Sequence, residues 1–278
     1  MATVFWLKGQ TDWSLAGSWK TATAGAGTVP VSTDTVYIAE GSDEIVTGLA
    51  NSAVDLTALE FTEGSQARIG SAGTSLTISC TGTVKFRQTG GFLFLTAGSA
   101  NIASMIVKGT GGAQCYLTGG VFDSRIDISS HCRINDSAGL SGVILELNTG
   151  ADVYVQYKVD ATDPTVIVNG GSLRLERPAL TITQNGGSVT VAVERETSAT
   201  PAYVHNAGDL TWLRGSCASL ISKGTGHVDF SKLVAPVTIT DSTFGPNVKV
   251  TVHPLVTFTN ASTLLGGRAS VAGGPATS

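Results

Sequence analysis

The chain has 278 residues, a formal net charge of −4 at pH 7 and only 14% charged residues, whereas soluble domains contain about 25%. Its 42% of hydrophobic residues excludes an intrinsically disordered chain, and its 17 Lys and Arg residues form no basic run with which to bind nucleic-acid phosphates. No apolar segment is long enough for a transmembrane helix, so we expect neither a nucleic-acid nor a membrane partner.

The first 38 residues differ from the rest in their aromatic content. Three of the four tryptophans, Trp6, Trp13 and Trp19, lie within the first 20 residues. This start has neither the basic segment nor the long apolar segment of a secretory signal peptide, so we expect synthesis in the cytoplasm without an export signal. We predict that residues 1–38 form an N-terminal cap or attachment segment. In it, Trp13 and Trp19 would be buried as a plug, and Trp6 would reach a neighbouring subunit.

Residues 39–262 repeat a short phrase that is typical of strands joined by tight turns. Each copy has a turn containing Gly, one or two small or polar residues, and then alternating apolar and polar residues. No segment shows the sustained i, i+3, i+4, i+7 spacing of an amphipathic helix. Representative copies are TGGFLFL (89–95), NTGADVYV (148–155), NGGSLRL (169–175), NGGSVTV (185–191), NAGDLTW (206–212) and GTGHVDF (224–230).

The spacing of these phrases predicts a solenoid. The interval from Gly171 to Gly187 is 16 residues, from Gly187 to Gly208 it is 21, and from Gly208 to Gly226 it is 18. This period fits an all-β fold, a right-handed parallel β-helix with about 20 residues per turn, in which each turn buries its inner face by stacking on its neighbours. The inward positions would be Leu173 and Leu175, Val189 and Val191, Leu210 and Trp212, and Val228 and Phe230; Arg174, Thr190, Thr211 and Asp229 would face outwards.

An antiparallel β-sandwich is the alternative fold. It also consists of short strands, and its hairpins also use Gly-Gly and Asn-Gly turns. We favour the solenoid because hairpins give no reason for one phrase to return at a nearly constant interval.

The last residues differ again. Residues 263–278 are mainly Gly, Ala and Ser, with little to bury, and we predict a flexible C-terminal tail there. The predicted organisation is therefore a cap or attachment segment (1–38), a parallel β-helix (39–262) and a tail (263–278).

Four cysteines occur without a C-x-x-C pair: Cys80, Cys115, Cys132 and Cys217. We expect them to be buried and reduced, as free cysteines usually are. A disulfide framework is the weaker alternative, because a large chain without an export signal rarely uses one. A zinc site is weaker still, because about four ligands must converge on the ion.

One row of charged residues could carry chemistry. In VFDSRIDIS (121–129), Asp123, Arg125 and Asp127 would share one face of a strand. Such a row could bind or cleave a polysaccharide, a reaction that uses converging carboxylates. We favour a solvated ion-pair strip, because the sequence shows no second acidic cluster on the next turn.

Other candidate sites have simpler explanations. The segment DATDP (160–164) offers oxygen ligands for calcium but lacks a complete calcium-binding loop, so an Asp-Pro turn is the better interpretation. No G-x-S-x-G motif is present, and the histidines, which we expect to be structural, have no catalytic signature around them. These are His131, His205, His227 and His253. We therefore predict no enzymatic activity, no metal and no cofactor.

The N-terminal segment resembles the start of many right-handed β-helices, among them surface adhesin passengers and bacteriophage structural proteins. In those proteins a short Trp-containing segment precedes a Pro, a D-x-V pair and the first apolar strand. The matching residues here are Trp13, Trp19, Pro30, Asp34, Val36 and Ile38. The resemblance covers about 40 residues closely and the repeat pattern more loosely, so it carries function only by analogy.

This resemblance implies a non-enzymatic structural protein of a virus particle. The leading expectation is a phage capsid decoration (cement) protein, made in the host cytoplasm, that binds the major capsid protein on the capsid surface and assembles as a homotrimer. A tailspike or other receptor-binding or polysaccharide-depolymerising β-helix is the first alternative. A bacterial adhesin-like surface protein is the second.

Overall fold

The computed structural model describes nine stretches of the chain: residues 2–7, 9–21, 27–39, 44–49, 54–156, 164–193, 200–260, 262–264 and 268–271. Strands make up 61% of the structure, and the described residues contain one short 3₁₀ turn, Ala16–Ser18, and no α-helix. None of the helical structure in these stretches is long and apolar enough to cross a membrane.

The strands pair in parallel from turn to turn. They form a parallel β-solenoid of about 10 turns with about 21 residues per turn, which confirms the predicted parallel β-helix. The β-sandwich alternative is wrong, because the strands it would place in antiparallel hairpins pair in parallel instead. The described residues divide into two compact units, before and after the boundary between Val143 and Ile144.

Unit 1 contains twelve strands among its described residues. They are β1 (Thr3–Trp6), β2 (Trp19–Thr21), β3 (Thr35–Ile38), β4 (Ile45–Val46), β5 (Val54–Leu56), β6 (Ala58–Phe61), β7 (Arg68–Ile69), β8 (Leu76–Phe86), β9 (Phe92–Val107), β10 (Gln114–Ile128), β11 (His131–Ile134) and β12 (Ala138–Gly139).

Unit 2 contains thirteen strands among its described residues. They are β13 (Ile144–Leu147), β14 (Asp152–Val155), β15 (Thr165–Val168), β16 (Ser172–Leu175), β17 (Thr181–Gln184), β18 (Ser188–Ala192), β19 (Thr200–Arg214), β20 (Cys217–Asp229), β21 (Val237–Phe244), β22 (Val248–Val252), β23 (Val256–Phe258), β24 (Thr263–Leu264) and β25 (Arg268–Val271). Because β24 pairs with β21 and β25 with β22, parallel pairing continues past residue 262 into the range predicted as a tail.

The core of unit 2 is built from columns of equivalent residues. Leu173 pairs with Val189, Val189 with Leu210, and Leu210 with Val228, and all four side chains are buried. Each inward residue therefore packs on its equivalents in the turns before and after it, about 4.8 Å away. This register confirms the repeat alignment predicted from the sequence.

Glycine forms a corner shortly before each of these inward residues. Gly171, Gly187 and Gly208 have φ angles of 76°, 70° and 96°, in the left-handed region that disfavours other residues. A Cβ atom on Gly187 would also lie 2.3 Å from the carbonyl oxygen of Gly171. The corner therefore requires glycine both for its backbone angle and for the close approach of the previous turn.

Asparagines at the turns of unit 2 form a hydrogen-bonded ladder. The Nδ2 of Asn169 donates to Oδ1 of Asn148 at 3.2 Å, that of Asn185 to Asn169 at 2.9 Å, and that of Asn206 to Asn185 at 2.9 Å. The ladder joins turns of 21, 16 and 21 residues. It therefore keeps successive corners aligned although the intervening segments differ in length.

A second column inside unit 2 is polar. Gln184, His205 and Ser222 occupy equivalent positions in three turns, and all three are fully buried. The Nδ1 of His205 lies 2.6 Å from Ser222 Oγ, and the Tyr203 hydroxyl donates to Gln184 Oε1 at 2.7 Å. Because each polar group has a partner, the column avoids the cost of unsatisfied buried groups.

The four cysteines are buried and unpaired, as predicted. Cys115 and Cys132 are register partners in β10 and β11. Burial raises the pKa of Cys80 and of Cys115, and raises that of Cys217 to about 12.

Candidate interaction surfaces

The three N-terminal tryptophans form one cluster in unit 1. Ring centroids are 4.8 Å apart for Trp6 and Trp19 and 4.7 Å apart for Trp13 and Trp19, both with edge-to-face geometry. The Trp19 Nε1–H donates to the carbonyl oxygen of Trp13 at 2.9 Å. Aromatic pairs of this kind contribute about 0.5–1.5 kcal/mol beyond the area they bury, so the cluster holds the start of the chain together.

The strand that carries Trp6 is covered on both edges. On one edge β1 pairs in parallel with β3, and on the other it pairs antiparallel with β2, which places Trp6 opposite Trp19. A first strand without this cover would expose a row of unpaired backbone groups. The buried Asp34 carboxylate strengthens the start by accepting hydrogen bonds from the backbone N–H of Ala2 at 2.8 Å and of Val31 at 3.1 Å.

The burial of Trp13 and Trp19, each 1% exposed, confirms the expectation that they lie inside the fold. Trp6, which we expected to reach a neighbouring subunit, is only 3% exposed. Its ring is enclosed because β2 reverses direction and brings Trp19 against it. Contact between this cluster and a partner stays a prediction, and it would have to involve the residues around Trp6 rather than its ring.

The row of Asp123, Arg125 and Asp127 is only partly as predicted. The Arg125 Nε donates to Asp127 Oδ1, and Asp123 Oδ1 accepts a hydrogen bond from Asn101 Nδ2. The register of β10 against β9 shifts between Phe122 and Arg125, so Asp123 does not continue the row of alternate residues. A shared face requires a straight strand, whereas the chain turns a corner at this register shift.

No acidic residue supports this row from the adjacent turn of β9. Arg125 is paired with Ser104 and Asp127 with Ile106. In the described part of the chain, no group of three or more His, Cys, Asp or Glu residues is placed to hold a metal ion. The segment DATDP (160–164), which we predict to be an Asp-Pro turn rather than a calcium site, lies outside the described residues except for Pro164.

The histidines do not converge. His131 packs against Tyr116, His227 lies 2.8 Å from Thr251 Oγ1, and the Nδ1 of His253 accepts the backbone N–H of Leu255. His205 and Ser222 resemble a catalytic pair in distance alone. Both are fully buried, and His205 Nε2 donates to the Gly208 carbonyl, so no substrate can reach them.

An outer face of unit 1 carries aromatic rings among its polar side chains. We call Phe92, Phe94, Tyr116 and His131 the aromatic strip. Phe94 and Tyr116 stack with centroids 4.3 Å apart and planes within 4°, while Phe92 meets Phe94 edge-on at 5.7 Å. All four side chains are half-buried. The outward positions of β16 and β18 in unit 2 are Ser, Arg and Thr, so this strip differs from that part of the exterior.

A shallow groove of about 310 Å³ lies beside the strip. Phe92, Phe94 and Tyr116 form part of its lining, together with Ile45, which is 48% exposed, and the backbone at Gly70. Its volume is at the lower end of small-molecule pockets, which begin at about 300 Å³. The surface is therefore suited to contact rather than to enclosing a large ligand.

Sequence reasoning missed the aromatic strip, although a signal existed. In the phrases FLFL (92–95) and CYL (115–117), the aromatic residues occupy alternate positions and the buried Leu or Cys residues lie between them. Aromatic residues at outward positions of a β-helix, at an interval near one turn, are placed to stack on one another. The pattern was hidden because the alternation of apolar residues alone suggested an ordinary strand.

No known protein family, no curated protein and no solved structure matches this chain.

Proposed function

We propose that this protein is a non-enzymatic structural component of a virus particle, a bacteriophage capsid decoration (cement) protein that binds the major capsid protein on the outer shell. The observation that carries the proposal is the aromatic strip, a row of partly exposed rings on an outer face of unit 1. Aromatic residues are enriched where proteins contact one another.

The architecture supports a mechanical role. Each turn is held by backbone hydrogen bonds to the turns on either side, and the asparagine ladder and the buried polar column add side-chain bonds along the stack. Such a structure resists local opening because unfolding one turn exposes the inner faces of its neighbours. A protein that reinforces a shell needs this resistance more than it needs a mobile active site.

The proposal includes a homotrimer. The chain has few charged residues, so broad outer faces of the subunits could associate with little electrostatic repulsion. Light scattering coupled to size-exclusion chromatography is expected to give three times the chain mass. A monomeric mass at all concentrations would remove the trimer from the proposal without affecting the shell contact.

The main test examines virus particles purified from the culture in which the gene is found. We expect immunogold labelling over the capsid surface and, by quantitative mass spectrometry, a fixed ratio of this protein to the major capsid protein. Labelling at the tail, with release of reducing ends from host capsule polysaccharide, would favour the tailspike alternative. Detection of this protein on bacterial cells but not on virus particles would favour the adhesin alternative.

A further inference from the structure

We infer that Asn169 and Asn185 are latent deamidation sites, which the asparagine ladder keeps unreactive while the turns are stacked and which react when the stack opens. This inference goes beyond the proposed function and does not depend on it. It rests on the residues that follow these two asparagines and on the hydrogen bonds that hold their side chains.

Both sites have the local sequence that favours deamidation. Asn169 and Asn185 are the only asparagines in the sequence that precede a glycine, Gly170 and Gly186 respectively. In this reaction the backbone nitrogen of the following residue attacks the side-chain carbonyl carbon, Cγ, of the asparagine. Glycine promotes the attack because it has no Cβ atom to hinder it and because its backbone adopts more conformations. Both asparagines are also exposed to the water that completes the reaction.

The reaction needs no reagent other than water. The glycine nitrogen forms a bond to Cγ and loses its proton, while the bond from Cγ to Nδ2 breaks and Nδ2 leaves as ammonia. The product is a succinimide ring. Water then opens the ring at either of its carbonyl carbons and yields aspartate or isoaspartate, so the sum consumes one water molecule and releases one ammonia.

The fold favours this reactive pair of residues at both corners. A Cβ atom on Gly186 would lie 2.9 Å from the backbone carbonyl oxygen of Asn169, and one on Gly170 would lie 3.0 Å from Thr149 Oγ1. The previous turn therefore leaves little room for a side chain after either asparagine. The ladder in turn needs a side chain that both donates and accepts hydrogen bonds, as the asparagine amide does.

The ladder immobilises both reactive side chains. Asn185 Nδ2 donates to Asn169 Oδ1, and Asn185 Oδ1 accepts from Asn206 Nδ2, each at 2.9 Å. Asn169 Nδ2 donates to Glu146 Oε1 at 2.9 Å and to Asn148 Oδ1 at 3.2 Å. Ring closure turns the amide towards the backbone and expels Nδ2, so these hydrogen bonds must break first. Deamidation is therefore coupled to the opening of the turns.

Deamidation would prevent the original ladder from forming again. A carboxylate accepts hydrogen bonds but donates none, so an aspartate at position 185 would face Asn169 Oδ1 as a second acceptor. A carboxylate at position 169 would lie against Glu146, which has the same charge. Isoaspartate would in addition lengthen the backbone at the corner. A chain whose turns have opened thus acquires a permanent chemical mark at the ladder.

The test follows both sites in one molecule. The full chain is incubated folded in mildly alkaline buffer, then unfolded and digested with trypsin, which separates the two asparagines because Arg174 lies between them. Mass spectrometry measures the aspartate and isoaspartate formed at each site. Synthetic peptides VIVNGGSL (166–173) and TITQNGGSV (181–189) give the rates without a ladder. We expect the folded chain to react about tenfold or more slowly than the peptides, because two hydrogen bonds must break at each site.

Asn206→Ala tests the ladder locally, and Asn169 is the matched control within the same chain. The substitution removes the bond to Asn185 Oδ1 and none of the bonds of Asn169. We expect deamidation at Asn185 to become about threefold or more faster, while the rate at Asn169 stays unchanged. Asn148→Ala is the reciprocal variant: it removes an acceptor of Asn169 and leaves the bonds of Asn185, so it should raise the rate at Asn169 alone.

Two results would overturn the inference. One is deamidation of the folded, unaltered chain as fast as that of the peptides. The other is an equal rise at both sites in Asn206→Ala, which would show that opening of the ladder at one turn does not control the reaction there. If Asn206→Ala fails to fold, the comparison with the peptides and the Asn148→Ala variant decide the question. None of these rates depends on binding to virus particles, so failure of this inference would leave the proposed function intact.

Discussion

Asn185 donates a hydrogen bond from Nδ2 to Oδ1 of Asn169, 16 positions earlier in the chain and 2.9 Å away. Its own Oδ1 accepts the equivalent bond from Asn206, 21 positions later. One side chain thus connects three successive turns of unit 2 through bonds that lie outside the backbone ladder.

Removing this side chain should weaken the stack measurably. Asn185→Ala deletes two exposed side-chain hydrogen bonds, each with a net contribution of about 0.5–1.5 kcal/mol. We expect the free energy of unfolding, measured by urea titration, to fall by about 1–2 kcal/mol. Thr190→Ala, on the next strand, serves as the control and should change stability by less than about 0.5 kcal/mol. Equal effects of the two substitutions would show that the ladder adds nothing.

Substitution of two glycines with nearly the same φ angle can distinguish backbone strain from steric clash with the previous turn. Gly187 (φ 70°) would place a Cβ atom 2.3 Å from the Gly171 carbonyl oxygen, whereas Gly142 (φ 69°) has no heavy atom within 4 Å of that position. Alanine at either site incurs about 1–2 kcal/mol of left-handed strain. We expect Gly142→Ala to lose only that amount and Gly187→Ala to lose about 3 kcal/mol or more.

The comparison of melting temperatures and urea midpoints for these two variants tests the account of the corners. A loss for Gly187→Ala no larger than for Gly142→Ala would mean that the previous turn moves aside easily. The corner would then require glycine only for its backbone angle.

His205 should make stability depend on pH. Burial lowers the pKa of His205, and the hydrogen bond to Gly208 and the charge of Asp209 offset this only in part. An unfolded histidine titrates near pH 6.5, so the unfolded chain binds the proton more readily than the folded chain. The stability contributed by neutral His205 is therefore complete above about pH 6.5 and is lost as the pH falls through its folded pKa.

In the unaltered chain, the urea midpoint of unfolding should fall as the pH is lowered from about 8 to about 5. It should change much less in His205→Gln, which keeps a polar side chain but does not titrate. Asp229 lies outside this window. Burial acts to raise the pKa of Asp229, but hydrogen bonds from Ser231 and the charges of His227 and Lys232 lower it overall, so its contribution is lost only below about pH 4. An unchanged slope in His205→Gln would assign the pH dependence to another group.

The thiols should be unreactive in the folded protein. The thiolate is the reactive form, and burial both blocks access and raises the pKa of Cys217 to about 12. With Ellman's reagent we expect almost no reaction of the native chain at neutral pH. All 4 cysteines should react in guanidinium chloride. Rapid labelling of any one thiol under native conditions would identify a segment that opens locally.

Disruption of the tryptophan cluster should destabilise only the N-terminal strands. Trp19→Ala removes a buried indole and its bond to the Trp13 carbonyl, a change that typically costs about 3–5 kcal/mol. Because solenoid turns contact mainly their neighbours, we expect faster amide hydrogen exchange in β1 to β3, with unit 2 unaffected.

Trp212→Ala is the counterpart in unit 2. Trp212 is also fully buried, and its Nε1–H donates to the Gly215 carbonyl at 2.7 Å. Its substitution should accelerate exchange in β18 to β20 and leave β1 to β3 unchanged. A loss of protection over the whole chain from either substitution would contradict nearest-neighbour stabilisation.

The repeat register was predictable because it depends on local information. Each copy of the phrase carries its own corner glycine and its own alternation, so Leu173, Val189, Leu210 and Val228 could be aligned without knowing the fold. The buried column of Gln184, His205 and Ser222 could not be predicted in this way. Polar residues are tolerated inside because hydrogen-bond partners satisfy them, and some of those partners lie on other turns, 17 and 19 residues away.

The candidate surfaces were harder to predict for a related reason. The burial of Trp6 depends on the direction of β2, which a strand pattern does not contain. The aromatic strip needs two phrases to be aligned to the same turn position before Phe94 and Tyr116 are seen to stack. The corner in β10 that displaces Asp123 is likewise invisible in a row of alternating residues.

The reversed direction of β2 also bears on how copies of this chain meet. A stack of parallel strands with an open first turn would be a template on which the last turn of another copy could continue, and repetition would yield a fibre. β2 runs antiparallel along that edge and pairs with the backbone groups of β1 that such growth would use. Three residues, Trp19–Thr21, thus occupy the edge of β1 on which a strand of another copy could add.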